Sequence, residues 1–270
     1  MKIEEVHSVL FEMMCCIDDI CKKAEIPYSL SGGTMLGAVR DQGFIPWDDD
    51  VDLCVWCEDY PALRKALLNN LPEYMRLVEP NMTAPYFYDF VYRVQDTRYM
   101  LHEPIKEDFL YGNYQNYVSV DIFLVKDVAN SKLGFNIEVI KRKIIYGLAM
   151  GHRVKLVPEK YTGIQKLQVA VLSLIGKIIP VSMIHWLQNN GVSKVNCPHK
   201  RYCLKINDLM KYIGIPYESK LFEGNVDKIF CGRRFPVQKG YHEAMTLQYG
   251  EYMVPVRDDS QFIKHIDCEQ

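Results

Sequence analysis

The sequence predicts an α/β protein of the α+β kind, with a mixed-sheet core and helical additions. Two observations support this prediction. In the first half of the 270-residue chain, short apolar runs rich in β-branched residues alternate with segments of helical periodicity. From Leu133 onward the pattern changes to helices. With 49% hydrophobic residues the chain can bury a large core, which we expect to comprise a sheet-containing part, residues 1–130, and a mostly helical part, residues 131–270, that completes the same domain.

The first predicted element is a helix close to the N-terminus. Apolar residues recur along one side of it, at Val6, Leu10, Phe11, Met14, Ile17 and Ile20. The segment lacks the basic start and the continuous apolar stretch of a signal peptide. We therefore expect an amphipathic helix of the folded domain.

A strand, a glycine turn and a short helix come next. The apolar run at residues 26–30 predicts the strand, and residues 35–40 predict the helix. Between them lie Ser31, Gly32, Gly33 and Thr34. Glycine lets a backbone approach a ligand closely, and free N–H groups at a helix start favour an anion, so this layout can hold phosphate. On its own, a Ser-Gly-Gly turn is more often only a turn.

An acidic cluster follows within five residues, at Asp48, Asp49, Asp50 and Asp52. The apolar run after it predicts a strand that starts at Asp50, which points Asp50 and Asp52 to one face. Asp48 has the same parity, whereas we expect Asp49 to face away and to cap, pair or be solvated. Because gathered carboxylates repel one another, we expect cations there, and two carboxylates on one strand end can share Mg²⁺ or Mn²⁺ ions about 4 Å apart.

A third carboxylate, Asp121, lies inside another apolar strand run. An ionised carboxylate is costly there unless it is paired or bound to a metal. Asp121 is thus either a strand-end residue paired with a lysine or a third ligand of the metal site. Arg40 and Arg93 are the candidate cations for phosphate binding, and either could instead form a surface ion pair.

The remaining elements are predicted from periodicity. We expect a helix at residues 60–69, a strand pair near residues 87–100, and helices around residues 135–153, 164–179 and 181–190. Lys177, Pro180 and His185 interrupt the apolar stretch after Gly163, which argues against a membrane span. The pattern predicts a buried helix pair, with a helix at a membrane interface as the alternative.

Charge and cysteine content limit the partners and the compartment. The net charge of −2 predicts no general affinity for nucleic acid. Residues 126–177 are rich in Lys and Arg, which is usual for a solvated helix face but could also contact an anionic membrane or a polyanionic acceptor. Nine cysteines without a disulfide framework predict a reducing cytoplasm. Cys197, His199 and Cys203 are spaced like zinc ligands but lack a second pair.

The first motif block closely resembles the signature of the LicD family. The resemblance is carried by residues 31–34, 36–40 and 43–52, and residues 118–127 and 249–253 resemble later segments of the same family. The family contains bacterial phosphocholine transferases and is related to the fukutin-type ribitol-phosphate transferases. Its fold is that of the DNA polymerase beta-like nucleotidyltransferases. The resemblance therefore implies that residues 1–130 form a nucleotidyltransferase-like catalytic core.

The resemblance also implies roles for the candidate residues. Three carboxylates would be catalytic, Asp50, Asp52 and Asp121, and with Asp48 they would bind Mg²⁺ or Mn²⁺. Asp121 would take the proton from the attacking hydroxyl. Substrate would contact Ser31, Gly32, Gly33, Thr34, Arg40, Trp47 and Arg93. Gln95 stands where the family commonly has Arg, which makes a role for Gln95 doubtful.

The reaction implied is transfer of phosphocholine, or a related alcohol phosphate, from a CDP-linked donor, with CDP-choline favoured. The acceptor would be a hydroxyl of a cell-surface glycan, such as lipopolysaccharide, or of a polyol-phosphate teichoic acid precursor, and CMP would be released. The enzyme would act in the cytoplasm, with peripheral contact at the inner face of the membrane left open. One alternative is a nucleotidyltransferase that moves a nucleoside monophosphate from a triphosphate to a small-molecule hydroxyl. Another is a non-catalytic Mg²⁺ or sugar-phosphate binding protein.

Overall fold

A seven-stranded mixed sheet and a separate two-stranded hairpin form the β-structure of the chain. The computed structural model describes residues 1–157, 161, 163–189 and 200–255. The strands of the mixed sheet are β1 (Ser29–Leu30), β2 (Val51–Trp56), β3 (Met75–Val78), β4 (Tyr92–Met100), β5 (Tyr117–Ala129), β6 (Tyr202–Lys205) and β7 (Tyr217–Glu218). The hairpin consists of β8 (Asn225–Phe230) and β9 (Arg233–Gln238). The predicted α/β fold with a mixed sheet is confirmed.

Eight α-helices occur in the described part of the chain. They are α1 (Ile3–Lys23), α2 (Gly32–Leu36), α3 (Tyr60–Asn70), α4 (Lys106–Leu110), α5 (Lys132–Ala149), α6 (Gly163–Gly176), α7 (Val181–Asn189) and α8 (Tyr241–Tyr249). The predicted one-sided burial of α1 is confirmed, since Leu10, Met14 and Ile17 are fully buried and Phe11 is partly buried.

The central strand of the mixed sheet is β5. It pairs in parallel with β2 on one side and antiparallel with β4 on the other, and β6 joins its C-terminal half. Alternate β5 residues, Val118, Val120, Ile122 and Leu124, are buried in the main core with the apolar side of α1. Because side chains alternate along a strand, Ser119 and Asp121 point to the opposite face, where the site lies.

The predicted strand pair near residues 87–100 is wrong in its first half. Strand β4 pairs with β3, which the sequence did not reveal. Phe87 is instead fully buried in a small apolar cluster with Phe90 and with Ile145 of α5 and Ile184 of α7. Its aromatic ring fills a gap between helices, so its apolar character reflects packing and not strand pairing.

The second half of the chain contributes strands as well as the three expected helices. Strands β6 to β9 lie there, and β6 and β7 belong to the main sheet. The division at residue 130 into a catalytic core and a completing region stays a prediction. Cys197 and His199 lie outside the described residues, and Cys203 is buried on β6.

The predicted burial of the helix pair α6–α7 is wrong for α6. Ser173 and Gly176 are the buried residues of that helix, whereas α7 buries Ile184, His185 and Gln188. The reason is that α6 crosses α5 through small residues, so its large side chains stay outside. Among the described residues no single helix is long and apolar enough to cross a membrane, although α6 and α7, bent by 114°, pass together by length and composition.

Candidate active site

Three neighbouring strands place two acids and an arginine side by side. Asp52 of β2 is the register partner of Asp121 of β5, and Asp121 is in turn the partner of Arg93 of β4. Asp50 immediately precedes β2. We call Asp48, Asp50, Asp52 and Asp121 the carboxylate end of the sheet. The alternation of apolar and acidic residues on β2 and β5 brings these groups together on the face opposite the main core.

Arg93 links two acids at this end. Its Nε lies 3.1 Å from Asp121 Oδ1, and its Nη2 donates to Asp89 Oδ2 at 2.7 Å. Ser119 Oγ lies 3.4 Å from the same Asp121 Oδ1. Burial lowers the pKa of the Arg93 guanidinium, but Asp121 and Asp89 raise it by more, so the net pKa lies above its ordinary value. Arg93 is therefore a fixed positive charge beside Asp121.

The glycine turn lies directly against the carboxylates. A Cβ atom at Gly32 would be 2.0 Å from Asp52 Oδ2, and one at Gly33 would be 2.3 Å from Asp48 Oδ2. Gly32 also has a φ of +53°, in the region that favours glycine. The two glycines are therefore needed for the acids to sit so close to the backbone. Phosphate binding by this turn stays a prediction.

Ser31 and Thr34 attach the turn to strand β2. The Ser31 N–H donates to the Asp52 carbonyl at 2.9 Å, and the Asp52 N–H donates to Thr34 Oγ1 at 2.8 Å. Both neighbours of the glycine pair thus hold the Asp52 main chain. This double link fixes the turn relative to the carboxylate end.

A cavity of about 340 Å³ opens at the carboxylate end. It is lined by Gly32, Asp50, Asp52, Asp121 and Arg93, by the aromatic residues Tyr88, Phe90, Phe123, Tyr146, Tyr212 and Tyr249, and by other polar residues, among them Asp89, Arg142, Arg153, Gln188, Lys205, Asn207 and Asp208. Acids, cations and aromatic rings therefore share one enclosure, which suits a ligand that carries both phosphate and an organic group.

Lys205 of β6 is a cavity residue that our sequence reasoning missed. It is 5% exposed, and its Nζ donates to Ser31 Oγ at 3.0 Å and lies 3.4 Å from Asp208 Oδ2. Burial lowers the pKa of the Lys205 ammonium, but Asp208, Tyr217, Cys54 and Asp52 together raise it by more, so the net pKa is raised. A lysine inside the apolar run at residues 202–206 was the signal available, because a buried lysine is costly unless paired.

Two arginines of the basic stretch also turn inward. Arg142 of α5 is 1% exposed and donates to the Gln188 carbonyl of α7 at 2.5 Å. Arg153 donates to the Tyr88 carbonyl at 2.8 Å. Both line the cavity. For these two residues the sequence-based interpretation of a solvated helix face is wrong, because long-range partners hold their guanidinium groups inside.

Five predicted substrate residues lie outside the cavity lining, namely Ser31, Gly33, Thr34, Arg40 and Trp47. Arg40 donates to both carboxylate oxygens of Asp41, at 2.9 and 2.7 Å, and contacts the Tyr252 carbonyl at 3.4 Å. Trp47 packs against the main core. Their substrate roles stay predictions. Asp49, expected to cap, pair or be solvated, is 7% exposed, so solvation is excluded.

The electrostatics of Asp52 favour a bound cation. Burial raises the pKa of its carboxyl well above the ordinary value, and Asp50, Asp121 and Asp48 raise it further, while Lys205 lowers it. Hard oxygen ligands with excess negative charge fit Mg²⁺ or Mn²⁺ in chemistry and in charge. In the described chain no group of three or more His, Cys, Asp or Glu side chains converges closely enough to hold an ion as it stands, so the acids would have to draw together around one.

The chain is similar to known proteins along almost its whole length. A family model described as LicD/FKTN/FKRP, nucleotidyltransferase domain, matches residues 25–137. The chain is 26% identical to the lipopolysaccharide cholinephosphotransferase LicD of Haemophilus influenzae, a match that covers 98% of this chain and 96% of that protein. A shorter match, 41% identical, covers 22% of this chain and 22% of an uncharacterized protein of Rickettsia prowazekii.

The matched domain contains the elements that build the site. Residues 25–137 include β1, the glycine turn, β2, β4 and β5, and therefore Asp52, Asp121 and Arg93. The match to the Haemophilus influenzae protein extends beyond them, over the part that contributes Lys205 and Tyr249. Residues 25–137 are therefore similar to the nucleotidyltransferase domain of the LicD/FKTN/FKRP family, and the similarity to the Haemophilus influenzae protein covers 98% of the chain.

Proposed function

We propose that this protein transfers phosphocholine, or a related alcohol phosphate, from a CDP-activated donor to a hydroxyl of a cell-surface glycan or teichoic acid precursor, with release of CMP. CDP-choline is the favoured donor. The observation that carries the proposal is the side-by-side placement of Asp52 and Asp121 on parallel strands beside Arg93, because paired carboxylates suit phosphoryl transfer. The relative named lipopolysaccharide cholinephosphotransferase supports the choice of phosphocholine.

In the proposed reaction the acceptor hydroxyl attacks the phosphorus of phosphocholine. A new bond forms between the acceptor oxygen and that phosphorus, and the bond from the phosphorus to the bridging oxygen of CMP breaks. The hydroxyl proton passes to the carboxylate of Asp121, and CMP leaves with the bridging oxygen. The ion pair with Arg93 holds Asp121 in one orientation for this transfer.

The carboxylate end would hold the proposed Mg²⁺ or Mn²⁺ through Asp48, Asp50, Asp52 and Asp121. A bound divalent ion would offset the charge of the donor phosphates and of the acids. The guanidinium groups of Arg93, Arg142 and Arg153 add positive charge to the cavity wall. These arginines are the candidates for contacts with the phosphate oxygens.

One part of the cavity wall suits a quaternary ammonium group. The rings of Tyr212 and Tyr249 lie 6.4 Å apart in an edge-to-face arrangement, and Asp208 lines the same cavity. Aromatic faces and a carboxylate attract a cation that cannot donate hydrogen bonds. Tyr88 also lines this cavity, whereas Phe87 is buried in a separate cluster.

A nucleotidyltransferase remains the second candidate, since the matching family model is described as a nucleotidyltransferase domain. That enzyme would release pyrophosphate from a nucleoside triphosphate and transfer the nucleotide. The same acids would serve either reaction, so the donor has to be identified directly. We place the reaction in the cytoplasm, which the seven described free cysteines support.

The first experiment is a thermal-shift series with Mg²⁺ and CDP-choline, CDP-ribitol, CDP-glycerol, CTP or ATP, repeated with EDTA. We expect the largest metal-dependent stabilisation with CDP-choline, followed by CMP release when a glycan acceptor is added. Stabilisation by a triphosphate alone, with pyrophosphate as the product, would favour the nucleotidyltransferase.

The matched variants are Asp52→Asn and the exposed Asp227→Asn. Asp52→Asn should abolish CMP release and leave the metal-free melting temperature equal or higher, because it removes charge repulsion without changing side-chain size. Asp227→Asn should keep both properties. Turnover retained in Asp52→Asn would exclude the proposed mechanism.

A further inference from the structure

Helix α6 is apolar and yet almost entirely exposed. Ser173 and Gly176 are its buried residues, while Ile164 is 75%, Leu167 66% and Leu174 67% exposed. The residue Ile178, just after the helix, is 84% exposed. A largely apolar helix normally lies inside a protein or in contact with another surface. The exposure of α6 therefore indicates a surface that binds another molecule or a lipid bilayer.

The attachment of α6 to the domain uses backbone and small residues. A Cβ at Gly176 would be 1.9 Å from the Leu148 carbonyl oxygen, and a Cβ at Gly147 would be 2.5 Å from a Leu172 methyl carbon. The helices α5 and α6 thus cross at very short distance. Such a crossing leaves the large side chains of α6 pointing outward, and small residues at helix crossings are common in lipid.

The exposed surface continues onto helix α5. On α5 the exposed residues follow a spacing of three and four, which places them on one side of that helix. Gly147, where α6 crosses, continues the same spacing, so α6 lies across the end of this stripe. We call the combined surface the outer apolar face. Its large side chains are Leu133, Ile137, Ile140, Ile144, Ile164, Leu167, Val171, Leu174, Ile175 and Ile178.

The charged residues of α5, α6 and α7 are mostly positive. Residues 163–189, which contain α6 and α7, include no Asp or Glu, and they include Lys166 and Lys177. On α5 the single acid, Glu138, is paired with Arg142 at 2.7 Å. Apolar side chains bordered by lysines match the apolar interior and anionic headgroups of a membrane. Trp186, 61% exposed, is a residue type enriched at membrane interfaces.

We propose that the outer apolar face lies on the surface of an anionic lipid bilayer. The 14 residues of α6 rise about 21 Å, which is shorter than the apolar thickness of a bilayer, so the helix lies in the interface and does not cross it. A second copy of the chain is a poorer fit, because facing copies would bring the same lysines together. The proposal is independent of the proposed transferase activity.

The test is flotation of the full-length chain with lipid vesicles, without donor or acceptor. One set contains phosphatidylcholine only, and the other contains 30% phosphatidylglycerol. We expect binding at least tenfold stronger to the anionic vesicles, weakened by salt and reversed by an alkaline wash. Hydrogen exchange should show that the α6 amides become protected when the vesicles are added.

Matched variants distinguish vesicle binding through the outer apolar face from nonspecific adsorption of exposed apolar residues. Leu167→Gln with Leu174→Gln should lower anionic-vesicle binding by at least tenfold, and Lys166→Gln with Lys177→Gln should remove the preference for phosphatidylglycerol. The control, Leu68→Gln with Ile105→Gln, changes residues that are 55% and 56% exposed elsewhere and should bind as the wild type.

Several outcomes would overturn the proposal. Equal binding to both vesicle types would exclude the anionic surface, and absence of binding would exclude lipid altogether. A dimer in light scattering that the Leu167→Gln, Leu174→Gln variant makes monomeric would assign the face to a second copy. Retention in the vesicles after the alkaline wash would indicate an inserted helix pair in place of an interfacial one.

Discussion

The carboxylate end of the sheet and the outer apolar face depart from ordinary burial in opposite ways. The four acids at the carboxylate end are half-buried and Lys205 beside them is 5% exposed, while on the outer apolar face Leu174 is 67% exposed. A folded domain normally buries apolar groups and leaves charged groups in water. Both departures are unusual for a folded domain, and these are the two surfaces for which we propose binding partners. The comparison yields four predictions, in order of decreasing effect.

Gly32→Ala should give the largest effect, since it places a methyl group against Asp52 Oδ2. The control is Gly163→Ala, because Gly163 has nearly the same φ, +52°, and among the described residues nothing beyond its chain neighbours lies within 4 Å of a Cβ added there. Backbone strain of about 1 kcal/mol is common to both variants, and only Gly32→Ala should lower CMP release by about a thousandfold. Equal losses in the two variants would show that the turn does not position the carboxylates.

Lys205→Met should destabilise the fold, because it leaves Asp208 and Ser31 without their buried ammonium partner. We expect a loss of about 3 kcal/mol in the free energy of unfolding, measured by urea denaturation. Lys220→Met provides the control, since that exposed lysine pairs with Glu218 at 2.7 Å and its removal should change the denaturation midpoint little. Similar losses in both variants would show that the buried ion pair of Lys205 contributes no more to stability than an exposed one.

The helical region contains a buried histidine whose titration should be visible in the stability. Burial lowers the pKa of His185 to about 4, and His152 contributes in the same direction. Between pH 6.5, the ordinary pKa of histidine, and pH 4, the unfolded state binds the proton more readily than the folded state. The contribution of His185 to the free energy of unfolding should therefore be fully present above pH 6.5. It should fall by about 3 kcal/mol as the pH drops to 4.

His185→Leu should remove this part of the pH dependence in denaturation curves recorded from pH 7 to pH 4. Ile184→Val, a change to the neighbouring buried residue, should lower stability and keep the wild-type slope. An unchanged slope in His185→Leu would show that other groups cause the loss of stability in acid.

Leu174→Gln should have the smallest effect, because α6 contributes little burial to the folded state. We expect a change within about 0.5 kcal/mol in the free energy of unfolding. Ile145→Ala, in the buried cluster beneath, should cost about 3 kcal/mol in the same urea titration. A large loss in Leu174→Gln would show that the described fold already covers this helix and would weaken the contrast between the two regions.

The sequence was sufficient for the local parts of the fold and of the site. The strand that follows the acidic cluster, the one-sided burial of α1 and the mixed α/β architecture follow from periodicity over a few residues. Lys205, Arg142 and Arg153 could not be assigned to the cavity in this way, because partners far along the chain hold them inside. The exposure of α6 was also unpredictable, since its apolar composition is the same for a buried helix as for a lipid-facing one.

The contact between Lys205 and Ser31 joins residues 174 positions apart in the chain. Pairings of such long sequence separation form slowly, because the intervening chain must first be ordered. During synthesis the glycine turn and strand β2 leave the ribosome long before β6 does. The cavity is thus completed only when most of the chain has been made, and a nascent chain that ends before residue 205 lacks the lysine that closes it.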